Sequence, residues 1–453
     1  MGYREVLALS LPLVASTLSS SAMMFTDRLF LSRYSLDSIA AALPAGVMKF
    51  MLTAFFFGTV SYTGIFAAQY VGAGRPRRAA DSLWQGLYLS LIFGIGLYSL
   101  YFLGPWIFGL SGHPQEVVEL ELVYFRVLVL GTPVELMMVT TGSFLSSVGR
   151  ARAVMWVNIL GTAVNVPLDY LLIFGVEVGG IVVIPPLGVL GAALATVFAW
   201  LFAFALLSCL AFGGAMERSH GTRSSRRFDW GLMRRVIRFG LPSGVQFLME
   251  VFSFTLFAFA AGRLGGEILA ANNIVLSLES MSYIPMLGVG QAVSILVGQS
   301  VGRGDPAEGR EAAVTGIVLV TLYICVILYA FLAYSGPIIG AFMPRGTDPA
   351  AMARIVALGT VLLRFVLLYS FFDGVYICCF GAVKGAGDVR FLMWAMGLWG
   401  IVLFVGVAAL FMLDVATIYS LWAVMVAYVL LLTFTGYWRF RSGKWMSFRV
   451  IEK

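Results

Sequence analysis

The chain has 453 residues, is 60% hydrophobic and only 12% charged, and has a mean hydropathy of +0.92. Such a composition excludes an ordinary water-soluble domain and requires an integral membrane protein. The formal net charge of +7 would suit an acidic partner only if the basic residues were clustered for it, and their placement along the chain follows membrane topology instead.

A spanning helix needs about 20 apolar residues, and the sequence predicts twelve. The first run, 6–31, carries Pro12 and Asp27, lacks an A-x-A cleavage pattern and leads directly into a second, so it reads as a retained helix rather than a signal peptide. The second, 45–70, ends in QYVGAGRP, and the third covers 81–108. The fourth, 118–147, holds Glu135, and the fifth, 153–174, holds Asn165 and Asp169 on one face. The sixth covers 188–213 and is followed by the polar, basic stretch GGAMERSHGTRSSRRFDWG. Glu250 lies in the seventh run, 235–261, and Glu279 and Tyr283 lie in the eighth, 268–300, which ends in QSVGRGDP. The ninth is 312–343, the tenth, 352–383, carries Tyr369 and Asp373, and 391–413 and 416–438 complete the set. Runs this long and uniformly apolar do not alternate as barrel strands do, which leaves helices as the spanning structure.

With the N-terminus inside, Arg75, Arg77, Arg78, Arg150, Arg152, the cluster Arg218 to Arg238, Arg303, Arg310, Lys384, Arg390 and the tail from Arg439 share one side. Only Arg33, Arg263, Arg345 and Arg354 fall on the other, the bias expected of cytoplasmic loops. Both termini are therefore expected in the cytoplasm, and no nucleic acid is called for. The four cysteines, Cys209, Cys325, Cys378 and Cys379, sit in apolar runs as small hydrophobic residues, and His113 and His220 are both in loops, which argues against a His/Cys metal site.

The chain repeats itself. QYVGAGRP at 69–76 returns as QSVGRGDP at 299–306, an offset of 230 shared by Leu11-Pro12 with Leu241-Pro242, Ala40-Ala41 with Ala270-Ala271, and Gly58 with Gly288. Further on the offset is 238, matching Arg126 to Arg364, Gly149 to Gly387, Arg152 to Arg390 and Met155-Trp156 to Met393-Trp394. Six spans per copy keep both copies in one orientation. The expected fold is all-α: twelve transmembrane helices in two six-helix lobes related by a pseudo-two-fold along the membrane normal. The first lobe is 1–213, the cytoplasmic basic linker 214–231 and the second lobe 232–453.

An ionisable group within the membrane is by default a functional hypothesis. Glu250 and Asp373 lie far from the ends of their runs with no basic neighbour one turn away, so snorkelling does not account for them. Tyr369, one turn before Asp373, is placed to hydrogen-bond it, and Tyr283 belongs to the same lobe. The repeat pairs Glu135 with Asp373, so an acid there also reads as inherited architecture, whereas Glu250 corresponds to Ser20 and Asp27 to Phe257. Asp27 beside Arg28 is balanced between an ion pair and a site, and with Asn165 and Asp169 it would form a second, N-terminal-lobe site. Glu279, in the first third of its run, reads as structural. A buried carboxyl group exchanges a proton for a metal or organic cation. Some of the 36 Phe, 18 Tyr and 10 Trp would suit a pocket for flat organic cations, with most of them facing lipid.

The sequence resembles the multidrug and toxic compound extrusion (MATE) family over essentially its whole length. The resemblance rests on Pro12 and Asp27, QYVGAGRP, NVPLDYLLIFG at 165–175, GVLGAALAT at 188–196, LPSGVQFLME at 241–250, QSVGRGDP and GAVKGAGD at 381–388. Within the family it is most similar to the NorM branch. The resemblance implies a C-terminal-lobe cation site at Glu250 and Asp373 with Tyr283 and Tyr369, and an N-terminal-lobe site at Asp27, Asn165, Asp169 and Thr196, with Na⁺ allowed at either. It implies a monomeric antiporter of the cytoplasmic (inner) membrane, without a cofactor, that exports organic cations or amphiphiles in exchange for Na⁺ or H⁺. The stretch VEVGGIVVIPP at 176–186 is longer than the family pattern. A flippase for a lipid-linked sugar or precursor is the nearest rival; its anionic head group would call for basic residues in the cavity, for which Lys49, Arg126 and Arg364 are the intramembrane candidates besides Arg28. A membrane enzyme would need D-x-x-x-D or H-x-x-x-x-D in the apolar runs, and neither is present.

Overall fold

The computed structural model describes residues 2–179, 181–342 and 349–452, so Arg345 and the rest of 343–348 lie outside the described residues. Fifteen α-helices follow one another along the described chain: α1 Tyr3–Tyr34, α2 Leu36–Ser61, α3 Thr63–Gly72, α4 Pro76–Gly96, α5 Ser99–Gly109, α6 Gln115–Leu145, α7 Ala151–Phe174, α8 Val189–Ala211, α9 Gly214–His220, α10 Trp230–Gly262, α11 Gly266–Arg303, α12 Pro306–Ala341, α13 Pro349–Ala386, α14 Val389–Met412 and α15 Ile418–Arg441. In hydrocarbon every backbone N–H and C=O must be satisfied within the protein, and a helix does so within a single segment.

Ten stretches are long and apolar enough to cross a membrane, and α4 with α5, bent by 47° at their junction, makes an eleventh. Residues 115–174 count once in that total. Sixty residues at about 1.5 Å each would run ~90 Å, three times a ~30 Å hydrocarbon core. Val148 and Gly149 leave helical geometry there and divide the stretch into α6 and α7, giving the twelve expected spans. The only β-structure among the described residues is a hairpin in the long stretch after α7, β1 Val176–Val178 paired antiparallel with β2 Ile181–Ile184. Its β-branched run, interrupted by Gly179 at φ 61°, suits a strand better than a helix.

The repeat is visible in the backbone. Gly74 and Gly304, from the two copies of the glycine-rich motif, both have positive φ (70° and 86°), as do Gly149 and Gly387 (85° and 113°). Each helix stop recurs where a residue without a Cβ is needed for the left-handed conformation. The restarts also correspond, with Pro76 and Pro306 each opening a helix.

The chain forms two compact units, one comprising the residues up to Val14 together with Val245–Glu452, the other Ala15–Gly244. In the first, α11 and α13 approach closely because small residues face each other: a Cβ on Gly381 would lie 2.6 Å from the Gly290 carbonyl oxygen, and one on Gly385 would collide with that of Ser294. Around this seam Phe257, Leu362, Tyr376, Phe380 and Trp422 form the core. In the second unit Leu31, Phe108, Phe125, Ile173 and Trp200 do the same. The basic stretch after α8 is bound to α4: Trp84 Nε1 donates to the Thr222 carbonyl (2.6 Å), Gln85 Nε2 to that of Arg227 (3.1 Å), the Tyr88 hydroxyl to that of Arg226 (2.5 Å), and Arg78 pairs with Asp229 at 2.9 Å.

Replacing Gly385 with Val should destabilise the protein by about 1–3 kcal/mol through overpacking, read as a lower thermal midpoint in detergent. The Leu232 N–H, and then Arg78, hold the Asp229 carboxyl below the usual carboxylate range. A depressed folded value means that this stabilisation is full above the unfolded value and disappears as pH falls through the lowered one. Amide-exchange protection of 222–229 should follow that course in the wild type and lose that pH dependence in Asp229→Asn.

Candidate functional site

In the unit that contains Val245–Glu452, four helices bring polar groups together. α10 supplies Glu250; α11 supplies Glu279 and Tyr283 one turn apart; α13 supplies Tyr369, Asp373 and Tyr376 on one face; and α15 supplies Trp422 and Tyr428. The Tyr283 hydroxyl donates to Glu250 Oε1 at 2.6 Å. The Tyr369 hydroxyl donates to Glu279, not to Asp373 as its position one turn away suggested, because the small-residue seam places α11 within its reach. The Tyr369 ring stacks on Trp422, with centroids 6.1 Å apart, and Trp422 Nε1 donates to Asn272 Oδ1 at 3.0 Å. Tyr428 pairs with Ser253.

Asp373 is only 6% exposed, and its carboxylate receives no hydrogen bond among the described residues, while Glu279 and Glu250 both act on it electrostatically. Glu279, which the sequence placed among structural residues, is 8% exposed and faces this group. Lys384 attracts Glu250. Of the three acids of this group, Glu250, Glu279 and Asp373, Asp373 is the one without a hydrogen-bond donor among the described residues.

In the unit formed by Ala15–Gly244, α1, α7 and α8 bring together all four residues of the other expected set. Thr196 Oγ1 donates to Asp27 Oδ2 at 3.2 Å. With its amide nitrogen facing the acids, Asn165 donates to Asp169 Oδ2 at 3.0 Å and to Asp27 Oδ1 at 3.1 Å. Asp27 and Asp169 thus share Asn165 as a common donor and interact directly with each other. Tyr124 of α6 lies in the field of both, a neighbour the sequence did not point to. The same α1–α7 seam continues as Ser19 with Thr162 (2.9 Å) and as Asn158 with Ser16. The spacing 158, 162, 165, 169 places all four α7 residues on one helical face, a signal that polarity alone could have revealed. Among the described residues no three His, Cys, Asp or Glu side chains converge to hold a metal ion, so a metal at either set would also need hydroxyl or amide oxygens.

Glu135, the repeat counterpart of Asp373, is not free for such a role. It forms an ion pair with Lys49 of α2, and both are buried. The Lys49 ammonium also lies 4.6 Å from the Trp200 ring centroid and 5.5 Å from that of Phe57. The Arg126 guanidinium is similarly placed, 4.7 Å from the Tyr101 ring.

The MatE family model matches residues 12–171 and 242–410 of this chain. A probable multidrug resistance protein NorM of Bradyrhizobium diazoefficiens is 29% identical over 403 residues, covering 87% of this chain and 84% of that protein. Multidrug resistance protein PmpM of Pseudomonas aeruginosa is 27% identical over 409 residues, covering 89% and 83%. Among solved structures, an outward-facing multidrug resistance MATE family transporter of the MOP superfamily is similar at a TM-score of 0.84, with 19% identity, over 97% of this chain and 95% of that one. A MATE structure in the bent conformation is similar at 0.82, with 20% identity, over 97% and 94%.

Lys49→Met should cost about 3–5 kcal/mol, because it leaves Glu135 buried without its counter-charge, and adding Glu135→Gln should recover most of the loss. Thermal unfolding of the two single variants and the double variant checks both the loss and the recovery.

Proposed function

The chain belongs to the MatE family of multidrug and toxic compound extrusion transporters, and from that premise we propose that it exports cationic or amphiphilic organic compounds in exchange for Na⁺ or H⁺. It is a multi-pass membrane transporter rather than an enzyme. The observation that carries the proposal is Asp373, a buried carboxylate with no hydrogen-bond donor and two acidic neighbours. A group in that state takes up a cation, and losing it to a substrate or to the other side of the membrane gives the exchange. Glu250, Tyr283 and Tyr369 complete the C-terminal site in this reading. Asp27, Asn165, Asp169 and Thr196 form a second site in the same reading.

The relatives named for multidrug resistance favour efflux over the flippase reading, as does the geometry, since Glu135 occupies the Lys49 ammonium that an anionic head group would need. We place the transporter in the cytoplasmic (inner) membrane as a monomer with both termini in the cytoplasm. A potential of ~150 mV supplies about 3.5 kcal/mol per charge, a concentration ratio of roughly 300. One cation in for one monovalent cation out moves no net charge, so only the ion's own gradient drives that stoichiometry.

Proteoliposomes given an imposed Na⁺ gradient or an imposed pH gradient test the proposal, with ethidium as the transported cation. Transport by the wild type should follow one of the two ions and fall at least tenfold in Asp373→Asn. If the wild type responds to neither gradient, the export reading is wrong. Coupled transport that survives Asp373→Asn and is lost in Asp27→Asn would move the coupling site to the N-terminal unit.

A further inference from the structure

The linker between α8 and α10 separates its charges. It carries two acids, Glu217 and Asp229, and both are satisfied from within the unit formed by Ala15–Gly244. Glu217 accepts from the Arg223 N–H and from the Ser224 hydroxyl, each at 2.5 Å, and Asp229 accepts from the Leu232 N–H at 3.0 Å and pairs with Arg78. The bases are left over. Arg226 and Arg227, with Arg234 in the second turn of α10, are exposed, and among the described residues none of the three forms an ion pair.

These arginines do not ride on a loose tether. Gln85 and Tyr88 of α4 hold the carbonyls of Arg227 and Arg226, so the backbone is fixed while the side chains stay exposed. Two large aromatic residues stand among them without cover: Phe228 is 55% exposed, and Trp230, which opens α10, is 66% exposed. Their ring centroids lie 6.1 Å apart, and that of Phe228 lies 5.9 Å from that of Tyr88. Beginning one turn beyond Tyr88 on the same face, α4 exposes Leu91, Ile92 and Ile95, side chains that suit hydrocarbon. The aromatic pair is therefore continuous with the lipid-facing side of α4, at the depth where a span begins, and aromatic rings favour that boundary.

With the linker on the cytoplasmic side, as in the topology proposed above, we propose that Arg226, Arg227 and Arg234, together with Phe228 and Trp230, bind an anionic phospholipid of the cytoplasmic leaflet. The lipid phosphate takes the guanidinium groups, whose planar donors fit its oxygens in pairs, and the two rings rest against the glycerol and the upper acyl chain. A soluble anion would meet the arginines but leave Phe228 and Trp230 in water. An acidic soluble protein would not reach a surface that runs onto the lipid-facing side of α4. The lipid neutralises charge that the linker's own acids do not, and it ties the segment joining the two copies of the repeat to the leaflet.

The test uses the purified full-length protein in a neutral detergent, titrated with phosphatidylglycerol or with phosphatidylcholine. Bound lipids are counted by native mass spectrometry while the thermal midpoint is followed. Phosphatidylglycerol should bind saturably and raise the midpoint, phosphatidylcholine should do neither, and high salt should weaken the response. Each arginine near an anionic surface is worth about fivefold in affinity, so Arg226→Gln/Arg227→Gln should weaken binding roughly thirtyfold and leave the lipid-free midpoint unchanged. Trp230→Ala, which keeps every charge, should weaken it about threefold. Removing two exposed arginines elsewhere, Arg152→Gln/Arg310→Gln, should leave it near the wild-type value. Wild-type affinity in Arg226→Gln/Arg227→Gln overturns the proposal, as does an equal loss in the control pair, which would mark a diffuse attraction. Displacement of the lipid by an equal concentration of inorganic phosphate, or an equal midpoint shift with a soluble polyglutamate peptide, overturns it in favour of a free anion or an acidic protein. If Arg226→Gln/Arg227→Gln fails to fold, Trp230→Ala decides, and wild-type affinity there overturns the proposal.

Discussion

Charge inside the membrane has no water to fall back on, and every charged group there must find its partner within the protein or acquire one from solution. The buried chemistry of this chain is a set of answers to that constraint. Lys49 and Glu135 answer it with an ion pair against aromatic rings, Asp27 and Asp169 with the donors Thr196 and Asn165, and Glu250 with the hydroxyl of Tyr283. Asp373 has no such answer among the described residues. In the proposed exchange, a cation taken up there connects the static fold to transport.

The two copies of the repeat show which features of a duplicated fold are free to change. Helix stops at Gly74 and Gly304, and at Gly149 and Gly387, keep the same backbone conformation because only a residue without a Cβ takes it at little cost. Side chains at matched depths changed their charge: Lys49 stands against Glu279, Ser20 against Glu250 and Asp27 against Phe257. A common scaffold thus carries two acidic clusters of different composition, each built within its own unit from helices distant in sequence. The stretch after α8, polar and basic in sequence, is likewise more than a tether, since side chains of α4 hold it by its backbone carbonyls.

Several residues of the candidate sites were legible because their signal is local. Glu250 and Asp373 stand alone in apolar runs, Asn165 and Asp169 share a helical face, and the repeat itself requires nothing beyond matching the chain to itself. Other features depend on contacts that no spacing reveals. Lys49 and Glu135 are 86 positions apart, and neither has an opposite charge one turn away. Tyr369 had a nearer acid in sequence, yet the glycine-lined approach of α11 to α13 gave its hydroxyl to Glu279.

Composition and apolar run length determined that the chain spans a membrane as helices, and how many, because hydrocarbon leaves the backbone no other way to satisfy itself. The internal duplication and the identity of the lone acids were likewise present in the order of residues. The tertiary structure alone decided which charges cancel and which do not, because pairing in a low-dielectric interior depends on distance across helices, and that distance is set by which residues are small enough to let those helices meet.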